Sequence, residues 1–311
     1  MAISGMLGFM LAMYQKETPV IHSMRWTVSL SCMVVLACGT ALKAHDIPPG
    51  TVQLTDHPAV DAQPSWSPDG TKIVFQSDRL GKFDIWIMNA DGSVQRPLMT
   101  SQGNDFHPAF SPDGRRIAFD SDRSGNHDVW VMSADGANLH RLTADPGHDH
   151  FLGWSPDGRL IAFSSDRTSS TEIWVLAVAG GKPRRLTWQS AFGGGFSWRP
   201  DGEKIAFDSY RTGNYDIWIM NSDGSREQRL TTAMTADHFP HWSRDGTRII
   251  YVSHGKGHSL WAMDSTGQHT SQLTTTLTFS GGLALSPDGK SIAFDAWNRG
   301  EVDIYVAPIV E

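Results

Sequence analysis

The chain has 311 residues, 40% of them hydrophobic and 19% charged, enough apolar content to fold around a core and not stay disordered. Formal net charge is −7; without residues 1–44, which hold three basic and one acidic residue, 23 basic stand against 32 acidic residues, or −9. That balance argues against a protein that tracks nucleic-acid phosphates, and no apolar run after residue 44 approaches the ~20 residues of a membrane-spanning helix.

Residues 1–44 read as a leader. A short apolar run from Ile3 to Tyr14 comes first; Arg25 then precedes a mostly apolar body, Trp26 to Ala41. Charge, apolar stretch and small residues is the layout of a secretory signal, for which Met24 is a better start than Met1. The rival reading is one long leader or an inner-membrane anchor. Both cysteines, Cys32 and Cys38, lie here, so the folded body has neither a disulfide nor a thiol nucleophile. Val35-Leu36-Ala37-Cys38 resembles a bacterial lipoprotein box. On that reading Cys38 becomes a lipidated N-terminus; otherwise cleavage after Ala44 releases a soluble protein. Either way an exported location is expected, a Gram-negative periplasm in particular, with membrane contact only through the leader or a lipid anchor. Residues 45–50 read as a linker and 51–311 as one domain.

That domain is a repeat. A turn of the form Ser-Pro-Asp-Gly ends at Gly70, Gly114, Gly158, Gly202, Gly246 and Gly289, in steps of 44, 44, 44, 44 and 43 residues. Pro presets the turn dihedral and Gly supplies positive φ. Three residues after each glycine stands Ile73, Ile117, Ile161, Ile205, Ile249 or Ile292. Two further on stands Phe75, Phe119, Phe163, Phe207, Tyr251 or Phe294, which is strand spacing. A Ser-Asp-Arg loop follows, then a strand carrying Trp86, Trp130, Trp174, Trp218, Trp261 or Tyr305. A second turn and a short strand ending at Leu98, Leu142, Leu186, Leu230 or Leu273 complete the unit. Four short strands every ~44 residues, with no helical apolar period, predict an all-β, six-bladed β-propeller of four-stranded antiparallel blades. The sixth copy lacks its last strand. A spare one, residues 52–55, stands at the other end, with Thr55 at the same offset from the next turn as Met99, Thr143, Thr187, Thr231 and Thr274. The N-terminal strand is therefore expected to complete the last blade and close the ring.

Pro-x-Trp-Ser-Pro-Asp-Gly, Ile-x-Phe-x-Ser-Asp-Arg, Asp-Ile-Trp-x-Met, Asp-Gly and Leu-Thr, best kept over residues 64–100 and 205–231, resemble the TolB propeller repeat. The resemblance covers about residues 51–311. TolB carries an α/β domain ahead of its propeller, whereas here the repeats follow the leader directly, so a stand-alone TolB-like propeller is expected. The resemblance implies a protein-binding role at the outer envelope, with a peptidoglycan-associated lipoprotein as partner.

In such a ring the loops from second to third strand share one face with the loops between blades. The expected charged face carries Asp61, Asp105, Asp149 and Asp237 with Arg79, Arg123, Arg167 and Arg211. Its bland reading is loop-to-loop hydrogen bonding repeated in every blade; its functional reading is a docking surface. Non-repeating features are more informative. His107, the His148-Asp149-His150 run and Asp237-His238 stand near the channel mouth, and the fourth and sixth blades have glycine runs, Gly193-Gly194-Gly195 and Gly281-Gly282, instead. His107, His150 and His238 are candidate ligands for a divalent metal, as in some propeller lyases and lactonases; surface tolerance of His is the bland alternative. No phosphate-cradling loop, Gly-x-Ser-x-Gly turn or CxxC pair occurs, and no catalytic residue is assigned. Two functions are thus expected in order: an exported, monomeric interaction module without cofactor, and a metal-assisted lyase or hydrolase of a sugar or lactone.

Overall fold

The computed structural model describes residues 48–309 except 190–191, 256–257, 275–278, 280 and 299. The leader, Met24 and Cys38 lie outside the described residues. The chain begins with β1 (Val52–Gln53). The first blade follows as β2 (Asp61–Trp66), β3 (Lys72–Ser77), β4 (Asp84–Asn89) and β5 (Arg96–Pro97), and the second as β6 (Asp105–Phe110), β7 (Arg116–Ser121), β8 (Asp128–Ser133) and β9 (His140–Arg141). The third holds β10 (Asp149–Trp154), β11 (Leu160–Ser165), β12 (Glu172–Ala177) and β13 (Arg184–Arg185). The fourth holds β14 (Phe192–Trp198), β15 (Lys204–Ser209), β16 (Asp216–Asn221) and β17 (Gln228–Arg229). The fifth comprises β18 (Asp237–Trp242), β19 (Arg248–His254), β20 (His258–Asp264) and β21 (Ser271–Gln272), and the sixth β22 (Leu283–Leu285), β23 (Ser291–Asn298) and β24 (Glu301–Pro308). The first five sheets run in chain order from the axis outward, the sixth runs β22, β23, β24 and then β1, and no helix occurs among the described residues. This is the six-bladed propeller that the period predicts.

The ring closes as expected. In the sixth sheet β1 is the outermost strand, antiparallel to β24, with Val52 opposite Val306 and Gln53 opposite Tyr305. Thr55 Oγ1 accepts the Ile304 amide at 2.9 Å, the bond that Thr143, Thr187, Thr231 and Thr274 make to Val129, Ile173, Ile217 and Leu260 in their own blades. Leu54 is buried with Ile73, Phe75, Trp86, Met88 and Ile304, so it seals the seam between the sixth and first blades as well.

The repeated turns build themselves. In the second blade Ser111 Oγ donates to Asp113 Oδ1 at 2.5 Å, and the same oxygen accepts the Arg115 amide at 3.0 Å. Gly114, at φ +69°, lies against Pro68 of the preceding blade's turn, so these turns touch round the face opposite the channel mouth. Between the blades, Phe75, Phe119, Phe163 and Phe207 are fully buried. The tryptophans one strand out differ: Trp86 is buried, whereas Trp130, Trp174, Trp218 and Trp261 keep an exposed edge.

The innermost strands carry a feature that the repeat does not announce. Pairing slips by one residue at each β-bulge, between Ala62 and Ser65, Phe106 and Ala109, His150 and Gly153, and His238 and His241. The extra residues Gln63, His107, Phe151 and Phe239 take left-handed backbone at φ +45° to +55°, unfavourable for side chains of this size. A polar side chain on the neighbouring blade's second strand holds the bulge. Gln76 Oε1 accepts the His107 amide at 3.0 Å, Asp208 Oδ2 the Phe239 amide at 3.2 Å, and Asp295 Oδ1 the Gln63 amide at 3.1 Å. The bulges aim side chains inward, and all six inner strands line a central cavity of about 190 Å³.

Candidate functional site at the channel mouth

The face geography is as expected. Asn126, in a second-to-third-strand loop, donates through Nδ2 to Asp145 O and Gly147 O of an interblade loop, both at 2.8 Å; Asn214 does the same to Ala233 O and Thr235 O. The two kinds of loop therefore surround one channel mouth.

The charged residues there are largely internal. Asp61, Asp105 and Asp149 open the inner strands with side chains fully buried, and pair with Arg79, Arg123 and Arg167 of their own blades. Arg167 Nη2 reaches both Asp149 oxygens at 2.8 Å. Each guanidinium lies over a tryptophan: Arg79 is 5.0 Å from the Trp86 centroid, Arg123 4.9 Å from Trp130, Arg167 4.8 Å from Trp174 and Arg211 4.5 Å from Trp218. Burial pushes the Asp105 and Asp149 carboxyls up, and hydrogen bonds from Ser121 with Arg123, and from Ser165 with Arg167, offset part of it. The fourth blade has Gly193 in place of the aspartate, and Arg211 pairs with Glu227 instead. The fifth has Gly255 in place of the arginine, and burial raises Asp237. The three Asp–Arg pairs and the Arg211–Glu227 pair brace the loops from beneath, whereas Asp237 is buried without an arginine.

The histidines resolve into two groups on different seams. His107 and His150 come together, but on a residue not anticipated, Asp120. Its fully buried carboxylate meets His107 Nδ1 at Oδ1 (2.7 Å), and His127 Nδ1 and His150 Nδ1 at Oδ2 (3.1 and 3.2 Å). Burial acts to raise Asp120, but the charge of His107 and the bonds from all three rings hold it well below the ordinary range. Burial likewise opposes charge on His127, yet its bond to Asp120 wins and raises it; His150 is lowered by burial and by its neighbours His127 and His107.

His238 stands elsewhere, between the fourth and fifth blades. Its Nδ1 meets Asp208 Oδ2 at 3.3 Å, and its ring lies 4.2 Å from Tyr215 and 4.9 Å from His254, which lies 4.1 Å from His258. His150 and His238 are strand residues, and so is the glycine run of the fourth blade. A Cβ at Gly193 would come within 2.7 Å of Asp208 Oδ1, and one at Gly195 within 2.7 Å of the Phe239 Cα, so these glycines admit close neighbours. Asp120 and His127 were missed because each was read within its own repeat. Aligned by offset, Asp120 takes the place of Gln76 and Ser164 in an otherwise apolar strand, and His127 that of Phe83, Thr171 and Tyr215.

One titration follows from the cavity wall. Burial lowers His241, on β18, to about 4, against a backbone hydrogen bond involving Leu283, and burial lowers His254 to about 3 with help from His258 and His238. An unfolded imidazole titrates near ~6.5, so below that pH the unfolded chain binds more protons and the fold loses stability down to the native value. For His241 alone the loss reaches about 3 kcal/mol by pH 4. Asp303, raised by burial to about 6, acts in the opposite sense as pH falls, so the His241 share is read as a difference: between pH 6.5 and 4 the melting temperature of wild type is expected to drop relative to that of His241→Asn, and parallel curves would remove His241 from the account.

Six four-stranded blades, five of them bulged at the inner strand, stand around an open mouth and define a β-propeller with its candidate binding chemistry on one face. The chain belongs to the TolB β-propeller domain family, whose pattern matches residues 94–197 and 191–308. Among solved structures it is similar to one assigned to TolB from Agrobacterium tumefaciens, 24% identical over 83% of this chain and 93% of that one, with a TM-score of 0.67. It is also similar to a gluconolactonase from Xanthomonas campestris, 14% identical over 87% and 93% of the two chains, TM-score 0.63. An oligogalacturonate lyase in complex with manganese is 15% identical over 88% and 96%, TM-score 0.59. At these identities the likeness is one of fold.

Proposed function

We propose that the protein is an exported interaction module of the cell envelope that receives a protein partner on the channel-mouth face. The distribution of exposed apolar side chains carries this reading. Leu80 (54% exposed), Trp188 (59%), Tyr210 (49%) and Met234 (101%) stand on loops of that face, the last three in or beside the fourth blade, whereas exposed Val94 and Leu139 lie on the opposite loops and Val52 on the rim. Trp and Tyr are the side chains that most often anchor protein interfaces, and the two exposed aromatic rings among the described residues, Trp188 and Tyr210, both stand on the channel-mouth face. Beneath them the Asp–Arg pairs act as a rigid base, so reversing Arg123 or Arg167 would test stability more than recognition. The family supports a protein partner, and a peptidoglycan-associated lipoprotein is the first candidate. An exported location rests on the leader and on the family.

Calorimetry of the purified protein with that lipoprotein is the test. Trp188→Ser combined with Met234→Ser is expected to weaken binding by about tenfold or more at an unchanged melting temperature. Equal affinity of wild type and variant, or no binding by wild type either to that lipoprotein or to any envelope protein in cross-linking, would refute the reading. A second reading, a metal-assisted lyase or hydrolase, draws on the imidazole–carboxylate cluster at Asp120. Turnover of oligogalacturonate or a sugar lactone by the purified protein would favour it.

A further inference from the structure

We infer that His127, His150 and Asp120 form a binding site for one divalent first-row transition-metal ion at the seam between the second and third blades, with His107 fixing the carboxylate. The assignment stands whether or not the protein is a catalyst. Around an ion with metal–ligand bonds of about 2.0–2.2 Å, neighbouring donors are separated by roughly 3.0–3.5 Å. Asp120 Oδ2 lies 3.1 Å from His127 Nδ1 and 3.2 Å from His150 Nδ1, and one donor atom from each of the three residues lies within 4.8 Å of the others. An ion there takes the place of the protons that now bridge Oδ2 to the two rings. Two imidazoles and one carboxylate are a donor set suited to Zn²⁺, Fe²⁺, Mn²⁺, Co²⁺ or Ni²⁺ over Mg²⁺ or Ca²⁺.

The support around these donors is that of a built site. Asp120 is fully buried near the end of β7, His150 lies on β10 next to the bulge at Phe151, and His127 directly precedes β8. Three elements thus converge from two blades. His107 Nδ1 holds the second carboxylate oxygen, Oδ1, at 2.7 Å, which orients the carboxylate as a second shell does in metal sites. The equivalent carboxylates Asp208 and Asp295 accept backbone amides at their seams, whereas Asp120 is turned toward three rings. His127 and His150 keep 18% and 25% side-chain exposure at the mouth, so water or a group from a partner can complete the coordination. At the other seam His238 has only a single 3.3 Å contact with Asp208, and that carboxylate also takes the Phe239 and Gly195 amides.

Full-length protein without an affinity tag, stripped with chelator and titrated with Zn²⁺ or Co²⁺, is expected to take up one equivalent. Uptake is expected to vanish in His127→Ala with His150→Ala and to persist in His238→Ala. Substoichiometric uptake, uptake unaffected by the double change, or loss on changing His238 alone would overturn the assignment. Circular dichroism reports whether the double variant folds. If it does not, electron-nuclear spectroscopy of Cu²⁺-loaded wild type decides: coupling to two imidazole nitrogens supports the site, and its absence overturns it.

Discussion

Deleting residues 45–56 is expected to abolish cooperative unfolding. The cut removes β1, the outer strand of the sixth sheet, and with it Thr55, whose hydroxyl takes the Ile304 amide and donates to Asp303 Oδ1 at 3.2 Å. It also removes Leu54 from the cluster that joins the sixth blade to the first. A propeller has no other covalent link across that seam, so without this segment the sixth and first blades are held only by side-to-side contacts such as the Gln63 amide on Asp295 and the Val60–Val302 bridge. Without it the eight-residue strand β24 presents an unpaired edge, which invites association with a second chain. Thermal and urea melts should lose their single sharp transition, and light scattering should rise. A truncated protein that melts like the intact one would show that the ring holds without its closing strand. Thr55→Val isolates the hydroxyl and should cost only about 1–3 kcal/mol, because it strands one buried amide and one carboxylate oxygen.

Phe119→Ala should be the most damaging single replacement at an ordinary seam. Its ring is fully buried and clusters with Val74, Ile85 and Ile87 of the first blade as well as Ile117 and Met132 of its own. Strand backbone on both sides limits collapse into the void, so a cost of roughly 3–5 kcal/mol is expected. Trp130→Ala at the same seam should cost less. The indole keeps an exposed edge and is covered by the Arg123 guanidinium, and removing it vacates space that solvent can enter. Urea unfolding at constant slope measures both. A loss below about 1 kcal/mol for Phe119→Ala would mean that the blades are not held through these rings.

Much of the architecture was legible because turn chemistry and strand period are local. Gly114 places Ile117 and Phe119 by counting, and both are buried at the seam where counting puts them. The missing last strand and the spare Thr55 also revealed the closure. The bulges were not legible, since Gln63, His107, Phe151 and Phe239 share neither size nor polarity and none is the glycine that positive φ would suggest. The charged set was legible as a set but not as to depth: counting does not reveal that Arg123 lies over Trp130 and pairs with a fully buried Asp105. The site was half legible. His107 and His150 belong together, whereas His238 resembles them in its Asp-His pairing but stands at a seam two blades away. Asp120 and His127 enter only when neighbouring repeats are laid side by side, because the contacts that join them run across blades.

The outermost strands β1, β5, β9, β13, β17 and β21 are two residues each, and they read Val-Gln, Arg-Pro, His-Arg, Arg-Arg, Gln-Arg and Ser-Gln. The perimeter of the disc therefore offers ladders too brief, and in four of the six too cationic, for another molecule to zip alongside. Crowded copies have little to gain rim to rim. A partner of the kind proposed is therefore expected at the hub and not at the rim.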